Sequence, residues 1–171
     1  TETMTNNLTL RYEPVASADV NNDGVIDIPV QREILGSGDD SLTENTENVY
    51  ITKWVNFETK ERIKVVANTL INYSDGYMIF LDKNEIKSTG IRNYRAQNCW
   101  ILYKTNSEGV NIGELFSILK IETKRWEQGS LEAYIPVLEK EDGMVCVYVT
   151  QSGQELGVTE EYIKSRIIKW P

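Results

Sequence analysis

The stretch NVYITKWVNFETKERIKVVANTLINYSDGYMIFL, residues 48–81, decides the fold class. Three runs within it, NVYITKWVNFE, RIKVVANTLINY and GYMIFL, are rich in β-branched and aromatic residues and carry the two-residue alternation of half-buried strands. Between the second and third stands YSDGY, whose Gly76 supplies the positive φ that a tight hairpin loop requires. The stretch therefore predicts antiparallel strands joined by short turns.

Working outward, NLTLRYEP, CWILYK, LFSILKIE, AYIPVLEK and MVCVYVT read as further strands. TNSEG before Val110 and KEDGM at Asp142 and Gly143 read as two more hairpin joints. Helical signals are fewer. The clearest is VTEEYIKSRIIKW: Thr159 is placed to cap, Glu160 and Glu161 sit in the first turn, and Lys169 sits in the last, as the helix dipole favours. Ile163, Ile167 and Trp170 would then share one face for packing on a sheet. A shorter helix is expected from Thr123 as cap through KRWEQ to Gly129 as stop, and DKNEIKSTG reads as a single turn or a loop. The polar stretch GSGDDSLTENTEN, residues 36–48, reads as a linker. These signals predict an α+β fold, a mostly antiparallel sheet packed by a C-terminal helix and one short helix. An acidic β segment at 1–48 would precede an α+β domain at 49–171.

With 171 residues the chain is long enough to bury a sizeable core. No apolar run approaches the roughly eighteen residues that a membrane span needs. The start TETMTNNLTL shows neither a signal peptide nor an initiator Met, as expected of a processed or excised piece. Charge is divided unevenly. Residues 1–50 hold ten acids against Arg11 and Arg32, while residues 51–171 hold sixteen acids and sixteen bases, so the whole net charge of -8 falls in the first fifty. An acidic chain without a basic stripe repels nucleic acid and anionic lipid and favours a cation. The two cysteines, Cys99 and Cys146, lie in apolar, strand-like runs and read as buried thiols, with a disulfide open to them only if those strands are neighbours.

The chemistry sits in DVNNDGVID, residues 19–27. Oxygen-bearing side chains alternate at Asp19, Asn21 and Asp23; Val25 offers its carbonyl, Asp27 follows, and Gly24 occupies the sixth position, where a cation loop turns sharply. Val30 stands where an EF-hand would place its bidentate Glu, which excludes an EF-hand and leaves a nine-position loop. The loop resembles the calcium loops of FG-GAP or VCBS-type repeats, and Asp19, Asn21, Asp23, Val25 and Asp27 match their ligand positions. The resemblance implies calcium held for rigidity, next to upstream propeller-like repeats. The competing reading of the same residues is a metal-free Asx turn whose side chains bond their own backbone.

The segments DIPVQREI, VYITKWVNF, NTLINYSDGYMIFL, LFSILKIETKRWE, YIPVLEKEDGMVCVYV and VTEEYIKSRI together resemble the terminal module of secreted or lipid-anchored proteins of clostridia-like, Gram-positive bacteria. The order of elements is similar to a PsbP-like sandwich. That resemblance implies an extracellular or cell-surface lipoprotein module, non-catalytic, that binds a protein or a cell-envelope ligand. It brings no catalytic residue.

Enzyme signatures are sparse. The chain contains no histidine, which removes Ser-His-Asp and Cys-His catalysis. SILK, residues 117–120, matches an S-x-x-K motif, but on a strand Ser117 and Lys120 point to opposite faces. The alternative function is a carboxylate-dependent hydrolase of cell-wall or carbohydrate substrates, whose paired acids can lie far apart in sequence; Glu114, Glu122, Glu127 and Glu132 are candidates simply as acids, and surface solvation is their first reading. Trp54, Trp100, Trp126 and Trp170 read as core residues before they read as a sugar platform, and the sequons at Asn7 and Asn72 carry weight only in a eukaryotic secretory context.

Overall fold

The computed structural model describes residues 11–34, 49–59, 62–94, 97–129 and 131–170. The linker expected at 36–48, the beginning of NLTLRYEP and Asn7 lie outside the described residues. Among the described residues, ten strands form two antiparallel sheets of five. The first sheet takes β1 (Ile28–Glu33), β2 (Tyr50–Thr59), β3 (Arg62–Asn72), β4 (Tyr77–Phe80) and β10 (Ile167–Lys169), in that spatial order. The second takes β5 (Thr89–Tyr94), β6 (Cys99–Thr105), β7 (Asn111–Glu122), β9 (Gly143–Val149) and β8 (Tyr134–Lys140). Hairpins join β3 to β4 at YSDG, β6 to β7 at NSEG and β8 to β9 at EDG, and Gly76 and Gly109 have φ of +60° and +81° at two of these joints.

The expected α+β class is corrected to a β-rich one: 53% of the described residues lie in strands and 15% are helical. The helices α1 (Thr123–Glu127), α2 (Gln151–Glu155) and α3 (Glu160–Arg166) run five to seven residues, too short to form a layer on a sheet. The C-terminal helix begins as expected, with Thr159 accepting from the Tyr162 N–H at 3.1 Å, but ends at Arg166. Ile167–Lys169 instead pair with Tyr77–Ile79, because the backbone groups on that side of β4 otherwise lack strand partners and branched Ile167 and Ile168 suit a strand. Ile163 and Ile167 still enter the main core, whereas Trp170 packs elsewhere. In α1 the capping position belongs to Glu122 and no side chain bonds across the cap, so Thr123 is the first helical residue and not the cap. The turn expected within DKNEIKSTG is a 3₁₀ turn at Glu85–Lys87.

The main core lies between the sheets. Ile51, Leu70, Ile79 and Ile167 stand in one cross-strand row of the first sheet, and Ile91, Leu102 and Phe116 form a row of the second; all belong to one buried cluster. Each such side chain contributes about 1.5–3 kcal/mol by leaving water. Of the four tryptophans read as core, Trp54 and Trp100 are buried and Trp170 packs partly buried against the smaller cluster, whereas Trp126 on α1 is only partly buried and belongs to neither cluster.

A second, smaller cluster lies on the outer face of the first sheet. Here Val15 covers Trp54, Ile71 and Met78, with Ala18, Val20 and Trp170 around them. Trp54 keeps its indole N–H satisfied by donating to Thr69 Oγ1 at 2.9 Å. The segment from Val15 to Asp27 is thereby laid across the sheet, and this fixes the polar loop in place.

The β2–β3 pair changes register once along its middle. Trp54 opposes Ala67 but Val55 opposes Val65, so Val66 is an extra residue, a β-bulge. Val66 joins Ala67 against the outer cluster. Beyond the bulge, Val65 and Ile63 oppose Val55 and Phe57, on the side of β2 that carries Ile51, while Lys64 falls on the loop's side.

Candidate functional site

The loop Asp19–Asp27 is closed at its base by the pair of backbone bonds between Ala18 and Asp27, 3.2 and 2.9 Å long. Two residues inside it take positive φ, Asn22 at 56° and Gly24 at 85°, the reversal that lets successive polar side chains fold back over the turn. Asp19 accepts from the N–H groups of Asp23 at 3.1 Å and Gly24 at 2.8 Å. Asn21 Oδ1 accepts from the same Asp23 N–H at 3.2 Å, and Asp23 Oδ1 accepts from the Val25 N–H at 2.9 Å. The Asn21 amide donates to Asp23 Oδ2 at 2.8 Å. That donor, with the Val25 N–H behind it and Lys64 as a lesser contributor, lowers the Asp23 carboxyl below its usual range.

Asp19, Asn21 and Asp23 are thus brought together, and Asp27 is set apart from them. Asp27 is fully buried; its Oδ2 accepts from the Val20 N–H at 3.2 Å and its Oδ1 from Asn56 Nδ2 at 3.3 Å. Asn56 belongs to β2, so the buried carboxylate ties the loop to the sheet. Val25 is exposed. Against a calcium ion the fit is incomplete as the loop stands. Its oxygens face its own amides, and among the described residues no group of three or more His, Cys, Asp or Glu side chains is spaced to hold a metal. The carboxylates retain further lone pairs, but a nine-position cage needs Asp27, which is turned into the sheet.

The other motifs are placed as follows. Ser117 and Lys120 lie on β7, a strand, three positions apart and hence on opposite faces; Lys120 pairs with Asp142 at 2.7 Å. Glu114, Glu122, Glu127 and Glu132 are all exposed, and none lines the cleft beside Asn21, the one beside Asn72 or the one along α3. Asn72 is buried, donating to Tyr77 and accepting from the Asp75 N–H, so it presents no sequon to solvent. Cys99 and Cys146 are free and stand on β6 and β9 with β7 between them, Leu119 being the cross-strand partner of both. Two strand spacings, about 10 Å, exceed what a disulfide spans.

One polar cluster was not anticipated from the sequence. Asp75, buried at the β3–β4 turn, accepts from Asn98 Nδ2 at 3.1 Å and from Asn72 Nδ2 at 3.4 Å. Both of its amide partners, Asn72 and Asn98, line a cleft of about 420 Å³ with Glu13, Ser74 and Asn93. The positive φ of Asn98, 48°, is the backbone feature that delivers its amide there, and an isolated Asn before a strand gives no signal of that pairing.

Among the described residues no helix is long and apolar enough to cross a membrane. No family model matches the chain, and neither curated proteins nor solved structures provide a match.

Proposed function

We propose that the chain is a non-catalytic binding or architectural module of the bacterial cell surface, its polar loop a structural joint that calcium stabilises. The observation that carries the reading is the position of Asp27. The segment whose residues have ligand chemistry is wired through the buried Asp27 side chain into the first sheet, and Asp27 itself lines neither the cleft beside Asn21 nor the one beside Asn72. Asp19, Asn21, Asp23 and the Val25 carbonyl are the groups that would hold the ion, the preference of hard oxygen donors for a hard cation supplying the affinity; Asp27 would join them only by giving up its bonds to Val20 and Asn56. An extracellular setting supplies calcium at the concentrations that modest sites need.

Calorimetric titration with calcium, paired with thermal melting in calcium and in chelator, tests this. The expected result is a saturable heat and a raised melting temperature in the wild type, both lost in Asp23→Ala. At calcium about 100-fold above Kd the gain is about 2.7 kcal/mol. Identical melting and negligible heat in both proteins overturn the calcium joint and leave the loop a metal-free Asx turn. Release of sugar or peptide fragments from cell-wall material, lost on substituting a carboxylate, overturns the non-catalytic reading.

A further inference from the structure

We propose that the unpaired edge of β3, from Ile63 to Ala67, receives an extended strand of a partner protein in which acidic and apolar side chains alternate. This rests on the binding-module reading above and names the partner's chemistry.

β3 is eleven residues long and β4 only four, so their pairing covers Thr69–Asn72 alone. On that side, among the described residues, no strand pairs with Ile63–Ala67. A bare edge offers a row of backbone donors and acceptors, the template for strand addition. It also carries apolar side chains in the open: Ile63 is 45% and Val65 38% exposed, and Phe57, across from Ile63 on β2, is 43% exposed. These three form a strip beside the edge that an incoming apolar face would cover.

The edge runs into a cleft of about 510 Å³ walled by Val20, Asn22, Phe80 and Lys83, with Asn68 in its lining. Asn68 is 6% exposed and its Oδ1 has no hydrogen-bond partner. A donor on the end of an added strand would satisfy it once the amide turned outward, relieving the cost of a buried orphan acceptor.

Charge selects the occupant. β3 holds Arg62 and Lys64 and no acid, and Lys83 adds a third cation at the cleft, where Asp82 is already paired with Arg166 at 2.6 Å. The bulge puts Lys64 on the loop's face, where it also draws on Asp23, and Ile63 with Val65 on the other. Two copies pairing through this edge would bring the same cations together, which a Lys-bearing edge opposes. A strand with carboxylates on one face and apolar side chains on the other meets both faces.

The probe is the acetylated, amidated peptide Thr-Glu-Val-Glu-Val-Glu-Thr, titrated into the labelled full chain while backbone amide resonances are followed. The expected result is saturable shifts at Ile63–Ala67 and Leu81–Lys83. Lys64→Glu, at an exposed position, should weaken binding about tenfold, and the Thr-Lys-Val-Lys-Val-Lys-Thr peptide should prefer that variant. No binding, shifts confined to other regions, or equal binding to wild type and Lys64→Glu overturns the proposal. Shifts at the same amides that follow protein concentration without peptide also overturn it, in favour of a second copy. None of these outcomes bears on the calcium titration, so the module reading fails or stands separately.

Discussion

Tyr162 donates its phenolic hydrogen to Glu85 Oε1 at 2.6 Å, across 77 positions of chain. The same carboxylate accepts from Arg166 at 3.2 Å, and Arg166 continues to Asp82 at 2.6 Å while lying 5.1 Å from the Tyr162 ring centroid. α3 is thereby fastened to the turn that links the two sheets. Replacing Tyr162 by Phe should cost about 1–2 kcal/mol, the loss of one hydrogen bond to a charged acceptor that is only partly solvated. Urea denaturation of the variant measures it. A midpoint unchanged from wild type would mean that the bond adds nothing to stability.

Alkaline pH should weaken the fold before it ionises the buried phenols. Burial holds Tyr77 well above the usual tyrosine value near 10, with Asn72 opposing the shift and Asp75 adding to it. Tyr162 is raised first by burial and then by its bond to Glu85. A pKa raised in the folded state means that the unfolded chain releases its protons first, so the stability contribution is whole below about pH 10 and declines as pH rises above it. Spectrophotometric titration of the nine tyrosines should show a late group that ionises together with unfolding. One uniform titration near the usual value in the folded protein is the outcome against this.

The two thiols should differ in reactivity and never pair. Burial pushes the Cys146 thiol up to about 11; the Cys99 thiol is also raised, by burial and then by Glu114, but its side chain is only half-buried. Both groups are mostly protonated near neutral pH, and a thiol reacts as its thiolate. Labelling of the folded protein with a disulfide reagent should be slow, with Cys99 ahead of Cys146, and both should react at once in denaturant. A cross-link that survives in oxidised, non-reduced protein would contradict the strand order.

Much of the sheet content was legible because its cause is local. Alternating side chains in Tyr50–Thr59 and Arg62–Asn72 and the Asp-Gly turn at Gly76 specify their hairpins without reference to the rest of the chain. β5 at Thr89–Tyr94 escaped notice: Gly90, Arg92 and Asn93 weaken its strand character, and Gly90 is tolerated because the Tyr103 ring lies against it. Ile167–Lys169 escaped for a different reason, since the bonds that draw them out of a helix come from β4, nearly ninety positions earlier. The loop's spacing was visible, but the turning of Asp27 toward Asn56 was not, because that partner is 29 positions away.

The extra residue at Val66 makes chain length, and not composition, the determinant of what the far half of β3 displays. Removing that one codon would exchange the two faces of the strand: Lys64 would turn to the side now held by Ile63 and Val65, and those two would turn under the loop. A lineage could therefore convert an apolar strip into a charged one through a single in-frame deletion, with every remaining amino acid unchanged.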